Sequence, residues 1–476
     1  MTDINKLTER GGDLMISISG IRGRVPQGLD PENILYFTRA FCAVTGRKIV
    51  LGNDARPTGP ILRHLALGVL LAAGKEVLDI GLAPTPTVKA AVALTRSHAG
   101  IMLSASHNPP EWNAFKFMGP GGFFFDAADG ERLLGALRRD DFAAQGLAKD
   151  YRGMGVVREY DGLGGHIDAV LDIIPNLRAI RKKKYKVVVD AVAGAGREAL
   201  PLLLEKLGCR VIPLFCEPTK RGEFPRPPEP TPMALRKFGA LVKKKKAHIG
   251  FALDPDADRL VLGSPKRGAI HEEYTLPLAF LGMEEYYSRV SSRTKGGRRK
   301  GRPLIVNLST ANLLDAVSER AGLKVSRAPV GEANVVNAMR ARKACYGGEG
   351  NGGVIHPGVP SYGRDPLVGA ALTLSAMVRE DKTLDELMDE MPRLYMEKTK
   401  MPLPEDLNAE EIFYRLKKEF PEGEVNEEDG LHITLPDLSW LHLRKSNTEP
   451  IIRLIAQGAT SAKLKAMLIL AASAVK

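Results

Sequence analysis

The chain has 476 residues, of which 44% are hydrophobic and 26% charged, the composition of an ordinary globular protein with about three domains. It excludes a disordered, collagen-like or coiled-coil chain. The 68 lysines and arginines outnumber 56 aspartates and glutamates, giving a formal net charge of +12, and much of the excess lies in runs at 182–184, 243–246 and 293–302. With only 6% aromatic residues and no recognised nucleic-acid module, we expect these runs to be solvated surface, and we expect no nucleic-acid partner.

Cysteine usage and hydropathy predict a cytoplasmic protein. Its four cysteines lack a C-x-x-C spacing and are too few for a disulfide framework, so we expect reduced thiols. The first 14 residues lack the apolar core of a signal peptide, and the longest apolar stretches, at 65–73 and 466–475, are about half a membrane span. We therefore expect no membrane association.

Three strand–helix–strand units follow one another along the chain. β-Branched runs open them at 49–51, 187–189 and 304–306, and helix-patterned stretches follow at 61–73, 199–207 and 313–321. A second short apolar run closes each unit, at 77–78, 211–212 and near 325. This order predicts α/β layers with parallel strand pairs.

The breaks between these units predict four domains. Glycines in 150–163, a polar stretch at 290–302 and a charged link at 380–383 mark the boundaries. The predicted domains are three α/β domains at 1–153, 154–268 and 269–378, followed by a smaller α+β domain at 379–476.

Three aspartates directly follow the apolar run at 249–253, in Asp254-Pro255-Asp256-Ala257-Asp258-Arg259. Alternate carboxylates on an extended or turning backbone can point at one centre, and at the end of a buried strand they would repel one another without a cation. An all-oxygen set suits Mg²⁺ better than zinc. Because Arg259 stands where an EF-hand needs glycine, we predict a Mg²⁺ site of another kind.

A serine and a histidine are adjacent in the segment 104–109. Neighbouring side chains in extended backbone point apart, and no G-x-S-x-G motif surrounds Ser106, so we do not expect His107 to activate it as in a hydrolase. Lys116 follows ten residues after Ser106. By itself, the segment could equally be a polar loop with an Asn-Pro turn.

Three further segments carry hydrogen-bonding side chains. The segment 444–453 combines two arginines with small polar residues, which suits either a phosphate group or an ordinary capped turn. The glycine-rich segment 347–353 leaves Glu349 and Asn351 as its polar side chains, which suit sugar hydroxyls, although such a loop is a weak signal. Arg22 is predicted to lie on a glycine-flanked turn.

Together, a hard-metal site, a serine, several arginines and a hydroxyl-binding loop indicate phosphoryl transfer to a polyol. Four segments, in order along the chain, also resemble the loops of the α-D-phosphohexomutase family, which comprises phosphoglucomutases, phosphomannomutases and phosphoglucosamine mutases. They are the serine loop 104–109, the metal loop 254–259, the sugar loop 348–353 and the phosphate loop 444–453. Weaker likenesses lie at 19–23, 52–56 and 79–86.

The resemblance implies three similar α/β domains and a C-terminal domain related to the TATA-binding-protein fold, in a heart shape. It implies phosphorylated Ser106 bound to Mg²⁺ with Asp254, Asp256 and Asp258. Ser106 would give its phosphoryl group to a sugar monophosphate, and the sugar 1,6-bisphosphate would reorient and return its other phosphate. A sugar 1,6-bisphosphate would also be the activator, and the protein would be a monomer or homodimer.

The resemblance also implies roles for residues around the serine. Arg22 and Arg259 would stabilise the transferring group, and Lys116 would be the general acid and base. His107 and Asn108 would shape the serine loop. The residues implied to grip the non-reacting phosphate are Arg444, Ser446, Asn447, Thr448 and Arg453.

Sugar recognition departs from the pattern of many members. Glu349 and Asn351 would bind the sugar hydroxyls. Many members of the family have Glu-x-Ser-Gly-His in this segment, so Asn351 stands in place of the serine. Gly353 stands in place of the histidine, which is sometimes invoked as a second acid or base. His356 lies three residues on. Glu332 stands where phosphoglucosamine mutases commonly have an acid, which would suit a substrate ammonium. We predict conversion of glucosamine 6-phosphate to glucosamine 1-phosphate, with phosphomannomutase or phosphoglucomutase activity as the alternative.

Two other functions are considered. A metal-dependent phosphatase with an aspartyl nucleophile would want threonine or valine at the place of Asp258, and it would release inorganic phosphate without isomerisation. A polyanion-binding protein would use the basic run at 293–302 and bind nucleic acid in a salt-dependent way. Most of the positive charge lies outside the motifs, which favours the mutase.

Overall fold

The structure is a computed structural model that describes residues 14–17, 20–139, 147–283, 302–360, 362–402, 409–445 and 451–475. It contains two compact units. The first unit comprises residues 1–297 and 351–388, and the second comprises residues 298–350 and 389–476. The basic run predicted to be exposed at 293–302 lies outside the described residues except for its last member.

The elements are numbered here in chain order. The strands are β1 (Met15–Ser17), β2 (Gly20–Arg24), β3 (Lys48–Asn53), β4 (Glu76–Leu82), β5 (Ala99–Leu103), β6 (Trp112–Met118), β7 (Val156–Glu159), β8 (Lys186–Asp190), β9 (Arg210–Leu214), β10 (Ile249–Leu253), β11 (Leu260–Ser264), β12 (Gly268–Ala269), β13 (Leu304–Asn307), β14 (Val325–Ala328), β15 (Tyr346–Glu349), β16 (Gly353–Ile355), β17 (Met396–Pro402), β18 (Glu424–Asn426), β19 (Leu431–Thr434), β20 (Trp440–Lys445) and β21 (Ile451–Gln457). The helices are α1 (Pro31–Val44), α2 (Gly59–Ala72), α3 (Thr85–Leu94), α4 (Ala127–Arg139), α5 (Gly162–Asp172), α6 (Leu177–Lys183), α7 (Gly196–Lys206), α8 (Arg236–Lys244), α9 (Thr275–Leu281), α10 (Leu313–Arg320), α11 (Glu332–Ala341), α12 (Pro366–Arg379), α13 (Leu384–Asp389), α14 (Ala409–Glu419) and α15 (Ser461–Val475).

The first sheet of the first unit has seven strands in the order β1-β2-β6-β5-β3-β4-β7. Strands β5, β3, β4 and β7 are parallel, while β6, β2 and β1 extend the sheet by antiparallel pairing. Helices cover both faces of this sheet. Successive residues of a strand point to opposite faces, so apolar residues of one strand can pack against helices on either side. Ile49 and Leu51 pack in a cluster with Phe37 of α1, whereas Val50 packs in a cluster with Val88 of α3.

The second sheet of the first unit repeats this pattern in the order β12-β11-β10-β8-β9. Strands β10, β8 and β9 are parallel, and β11 and β12 add antiparallel pairs. Every residue of β10 and β11 is buried, so a loop that leaves β10 starts from the interior. A buried histidine links three elements: His166 of α5 contacts Thr87 of α3 at 2.9 Å and Asp365, the N-cap of α12, at 2.7 Å.

The second unit contains a parallel sheet and an antiparallel sheet. Strands β14, β13 and β15 are parallel in that order. The antiparallel sheet has the order β17-β21-β20-β19-β18, and α14 and α15 pack against it around Leu416, Leu443 and Ala471. This sheet with its two helices is the predicted C-terminal α+β domain.

The three predicted strand–helix–strand units are confirmed. The parallel pairs β3–β4, β8–β9 and β13–β14 are each joined by the predicted helix, α2, α7 and α10. The fold class, mixed α/β domains followed by an α+β domain, is therefore confirmed. The domain boundaries remain a proposal, and β7 pairs with the first sheet although it lies just past the predicted boundary at residue 153.

Three smaller expectations can be compared with the structure. The prediction that Arg22 lies on a turn is wrong, because pairing with β6 draws residues 20–24 into β2. All four cysteines are free, as predicted. In the described parts of the chain, no helix combines the length and the apolar character needed to cross a membrane.

Candidate active site

The serine loop follows β5 and holds Ser106 in an unusual backbone conformation. Ser106 has φ +51°, in the left-handed region that residues other than glycine rarely adopt. The extended backbone expected here from the sequence is therefore wrong at Ser106. Ser106 Oγ lies 3.4 Å from His107 Nδ1, at the outer limit of a hydrogen bond.

His107 does not have the properties of a base for Ser106. Arg259 Nη2 lies 3.1 Å from His107 Nδ1, and a guanidinium can only donate, so the ring nitrogen is the acceptor. Burial, together with the charges of Arg259 and Arg22, lowers the pKa of His107 to about 2. The imidazole is neutral, and the nitrogen nearest Ser106 is already engaged.

The metal loop leaves the buried end of β10 and meets the serine loop. Asp254, Asp256 and Asp258 are fully buried. Asp254 Oδ1 accepts the backbone N–H groups of Asp258 and Arg259 at 3.0 and 3.1 Å, which folds the loop around this carboxylate. Asp254 Oδ2 accepts the hydroxyl of Ser106 at 3.1 Å. Two loops 148 residues apart in the chain thus meet at the serine oxygen.

In both Asp256 and Asp258, one carboxylate oxygen accepts hydrogen bonds from neighbouring side chains. Asp256 Oδ2 accepts hydrogen bonds from Thr85 Oγ1 and Lys116 Nζ, both at 2.5 Å, and Asp258 Oδ2 accepts one from Arg364 at 2.5 Å. The other oxygens, Asp256 Oδ1 and Asp258 Oδ1, are buried and accept no hydrogen bond from any described residue.

The donor set fits a hard cation. Each aspartate offers one carboxylate oxygen, and the three ligand atoms lie within 4.8 Å of one another. Asp256 Oδ1 and Asp258 Oδ1 accept no hydrogen bond from a described residue, and a buried carboxylate oxygen without a partner costs free energy unless a cation or proton compensates it. Three oxygens beside a serine hydroxyl could therefore hold a metal ion, with oxygen chemistry that suits Mg²⁺.

The electrostatics of the aspartates indicate the same need. Burial, with the charges of Asp258 and Asp256, raises the pKa of Asp254 well above its usual range. Burial also raises the pKa of Asp258, against the opposing charge of Arg364. Burial would raise the pKa of Asp256 too, but the charge and hydrogen bond of Lys116 hold it below its usual value. Nearby side chains only partly compensate the cluster.

Arg22 and Lys116 reach this site from the paired strands β2 and β6. Arg22 Nη1 donates to Asn108 Oδ1 at 2.8 Å, and burial lowers the pKa of Arg22. Lys116 pairs directly with Gly20, where a Cβ atom would lie 2.2 Å from the carbonyl oxygen of Phe115, so only glycine fits this register.

The first unit therefore brings nine predicted site residues together. Ser106, His107, Asn108, Lys116, Arg22, Asp254, Asp256, Asp258 and Arg259 are linked by the contacts just described. Asn351 belongs to the same unit, and its Oδ1 is buried and accepts no hydrogen bond from a described residue.

Thr85 and Arg364 were missed as site residues. The stretch that contains Thr85 had been noticed only as a weak likeness, and nothing in the sequence pattern pointed to Arg364. Arg364 lies against Gly353, where a Cβ atom would be 2.4 Å from Arg364 Cδ. An arginine side chain thus covers Gly353. His356 is turned to its own loop, where its Nδ1 accepts the N–H of Gly358 at 2.9 Å.

In the second unit, Glu349 organises the sugar loop. Its Oε1 accepts hydrogen bonds from Asn307 Nδ2 at 2.8 Å and from the backbone N–H of Gly331 at 3.0 Å. The second contact fixes the turn that starts α11, whose first residue is the buried Glu332. The hydrogen bond from Gly331 to Glu349 therefore holds the segment of Glu349 next to the start of α11, where Glu332 lies.

The phosphate-loop arginines lie side by side in the second unit. Arg444 on β20 and Arg453 on β21 are direct cross-strand partners. Asp429 Oδ2 lies 2.9 Å from Arg444 Nε and also accepts the N–H of Val330 at 2.8 Å. Ser446, Asn447 and Thr448 lie outside the described residues.

Comparison with known proteins gives consistent matches. The family described as phosphoglucomutase/phosphomannomutase, alpha/beta/alpha domains I, II and III, matches residues 15–144, 165–266 and 287–395. A phosphoglucomutase/phosphomannomutase of Thermococcus kodakarensis is 32% identical over 94% of this chain and 95% of its own length. A probable phosphoglucosamine mutase of Methanopyrus kandleri is 33% identical over 92% of each chain.

The fold comparison agrees with the sequence comparison. The crystal structure of a phosphoglucomutase/phosphomannomutase family protein from Burkholderia thailandensis is similar with a TM-score of 0.80 and 26% identity. It covers 97% of this chain and 98% of the other. The similarity therefore extends over nearly the whole length of both proteins.

Proposed function

Because the chain belongs to the phosphoglucomutase/phosphomannomutase family and is a phosphosugar mutase, we propose that it converts glucosamine 6-phosphate to glucosamine 1-phosphate through phosphorylated Ser106. The observation that supports this mechanism is the hydrogen bond from Ser106 Oγ to Asp254 Oδ2, a carboxylate of the aspartate cluster. This contact is expected if the serine oxygen acts as a nucleophile beside a bound cation.

Asp254, Asp256 and Asp258 would hold Mg²⁺, which when bound supplies positive charge that offsets the charge of the transferring phosphoryl group. The protein side chains position the other participants. Arg22 and Arg259 reach the serine loop through Asn108 and His107, respectively. Their guanidinium groups, the second already desolvated, would stabilise the phosphoryl oxygens.

Each half-reaction exchanges one phosphorus–oxygen bond for another. The O1 or O6 hydroxyl of the sugar monophosphate attacks the phosphorus of phosphorylated Ser106, a new P–O bond forms, and the bond to Ser106 Oγ breaks. The bisphosphate then turns end for end. Ser106 Oγ attacks the phosphorus of its other phosphate group, and the bond between that phosphorus and the sugar oxygen breaks. Lys116, whose Nζ lies among the aspartates, would accept the hydroxyl proton in the first step and return it in the second.

Other loops would bind the part of the substrate that does not react. Glu349 and Asn351 would bind the sugar hydroxyls in both orientations. Arg444 and Arg453 are matched to a phosphate dianion, since two guanidinium groups on neighbouring strands offer paired donors. Ser446, Asn447 and Thr448 would complete this grip.

The amino sugar is favoured by Glu332. This carboxylate is buried at the start of α11, next to a turn that Glu349 holds, and a carboxylate there would pair with the substrate ammonium. Glucose or mannose phosphate is the second candidate, because the relative from Thermococcus kodakarensis is named phosphoglucomutase/phosphomannomutase. Glu332→Gln is expected to lower kcat/KM for the glucosamine ester and to leave the glucose ester within about twofold, since only the ammonium loses a charge-assisted bond.

The test follows conversion of glucosamine 6-phosphate, mannose 1-phosphate and glucose 1-phosphate separately, each with Mg²⁺ and the matching sugar bisphosphate. Wild type, Ser106→Ala and the control Ser97→Ala, a buried serine that bonds Thr95, are compared. The proposal expects fastest isomerisation of the glucosamine ester and almost none with Ser106→Ala. Preference for another ester would show that the substrate assignment is wrong. Release of inorganic phosphate without isomerisation would show that the protein is a phosphatase and not a mutase.

A further inference from the structure

The guanidinium of Arg56 lies at the centre of the serine loop, and all five of its N–H donors are used. Nη2 donates to the carbonyl oxygens of Ser106 and Asn108, the latter at 2.8 Å. Nη1 donates to those of Pro109 and Trp112 at 2.5 and 2.9 Å. Nε donates the fifth hydrogen bond to Asp54 Oδ2 at 3.0 Å. One side chain therefore holds three carbonyl groups of the serine loop and that of Trp112, the first residue of β6.

Asp54 extends the same network to the start of the loop. Its Oδ2 also accepts the hydroxyl of Ser104 at 2.6 Å, and Ser104 Oγ accepts the backbone N–H of Ser106 at 2.9 Å. The N–H of Asp54 donates to the carbonyl oxygen of Leu103 at 3.0 Å. Ser106 is thus held on both sides of its Cα: its N–H through Ser104 and Asp54, and its carbonyl through Arg56.

Ser106 needs this support because of its backbone. A left-handed conformation at a residue other than glycine is strained and persists only where the surroundings over-determine it. Released from these bonds, the chain would relax toward ordinary dihedral angles and turn the Ser106 side chain away from Asp254.

Arg56 itself is closed off from solvent and substrate. The residue is 2% exposed, and the ring of Phe224 covers the guanidinium at 5.2 Å from its centroid. A group with every donor engaged and one face covered by an aromatic ring has no means of binding a phosphosugar. Any effect of Arg56 on the reaction must pass through the loop it holds.

We infer that Arg56, braced by Asp54, is a positioning residue that fixes the serine loop so that Ser106 Oγ points at the aspartate cluster. The inference rests on the proposed role of Ser106. It gives a function to the segment 52–56, which the sequence marked as a weak family likeness and which the reaction itself does not use.

The test compares Arg56→Met and Arg56→Lys with Lys75→Met. Lys75 is the matched control, a buried cation in the same sheet domain that donates to the carbonyl oxygens of Cys42, Thr45 and Gly46 at the end of α1. Each methionine variant removes a buried cation that donates hydrogen bonds to several carbonyl groups. Only Arg56→Met removes hydrogen bonds to the serine loop. Activity is measured with Mg²⁺ at a temperature where all variants are folded.

Arg56→Met is expected to lower kcat about 100-fold and to change KM less than about threefold, since a displacement of about 1 Å costs that much at a reacting atom. Lysine offers three donors on a single atom, so Arg56→Lys should recover part of the rate. Lys75→Met should lose stability and keep its kcat. A kcat for Arg56→Met within twofold of the control value would overturn the inference.

Amide hydrogen exchange separates this inference from the proposed reaction. Peptides spanning 104–112 should exchange faster in Arg56→Met than in wild type or Lys75→Met, while peptides of β10 stay protected. If wild type isomerises no sugar phosphate, the proposed function fails whatever the exchange shows. If wild type is active and the loop exchanges equally in all variants, only the role of Arg56 fails. Should Arg56→Met not fold, Arg56→Lys and Ser104→Ala give the same comparison.

Discussion

Arg444 and Arg453 face each other directly across the antiparallel strands β20 and β21. Like charges at directly opposite positions destabilise a sheet, and Asp429 compensates the first of them from 2.9 Å. Arg453 is exposed at the surface of the sheet. A phosphate dianion bound to the two arginines, as the proposed function implies, would offset this repulsion.

Arg444→Met is expected to raise KM for glucosamine 6-phosphate about tenfold or more. The reason is that a hydrogen bond to a charged group contributes about 1.5–3 kcal/mol. Steady-state kinetics measures the change, and Arg415→Met, which removes an exposed arginine paired with Glu411 on α14, is the control. An unchanged KM would show that Arg444 does not bind the substrate phosphate.

Gly353→Ala is expected to lower kcat/KM about 10- to 100-fold. Its Cβ would lie 2.4 Å from Arg364 Cδ and would push Arg364 from Asp258, and losing the partner of a metal ligand typically costs this much. Arg364→Ala should show the same loss, and the double variant should be no worse than Arg364→Ala, because alanine lacks the Cγ and Cδ atoms with which the added methyl group clashes.

Gly68→Ala is the matched control for this series, since a Cβ there meets no atom within 4 Å. It should keep full activity. Losses of the two single variants that add fully in the double variant would show that Gly353 and Arg364 act independently and would contradict the explanation.

Thr85→Val should lower activity about tenfold. Valine keeps the shape of threonine but removes the hydroxyl that donates to Asp256 Oδ2 at 2.5 Å, so the carboxylate loses one of two partners that orient it. The measurement is kcat as a function of Mg²⁺ concentration. Thr38→Val is the control, because the buried Thr38 hydroxyl donates only within α1, to Ile34. Equal kinetics for the two variants would show that Thr85 has no part in orienting Asp256.

Mg²⁺ is expected to stabilise the folded protein. A ligand at about 100 times its Kd adds about 2.7 kcal/mol, so the thermal midpoint should rise by several degrees and fall again with a chelator. Asp254→Asn should abolish this rise while changing the metal-free midpoint little, because burial and neighbouring carboxylates raise the pKa of Asp254 and so already favour its uncharged form. A midpoint unaffected by Mg²⁺ in wild type would contradict the cation site.

Much of the fold and part of the site could be predicted from local patterns. Parallel strand pairs such as β3–β4 are signalled by apolar runs at a fixed distance from a helical stretch. The aspartate cluster was equally visible, because Asp254, Asp256 and Asp258 are neighbours in the sequence and their orientation follows from the strand that precedes them.

The rest depends on pairing between distant segments. Arg22 reads as part of a glycine-rich turn, and only its register with β6 makes it a strand residue. Arg364 reaches Asp258 from 106 positions away, and no spacing rule connects the two. The conformation of Ser106 is likewise imposed by bonds from Arg56 and Ser104, which lie on different segments of the first sheet domain.

Ser106 is proposed to carry the phosphoryl group between two sugar oxygens. The most direct measurement incubates the protein with glucosamine 1,6-bisphosphate and Mg²⁺, locates the phosphate by peptide mapping, and then adds glucosamine 6-phosphate. We expect phosphate on Ser106 that disappears as new bisphosphate forms, with no inorganic phosphate released. Phosphate on another residue, or its release as inorganic phosphate, would show that Ser106 is not the carrier.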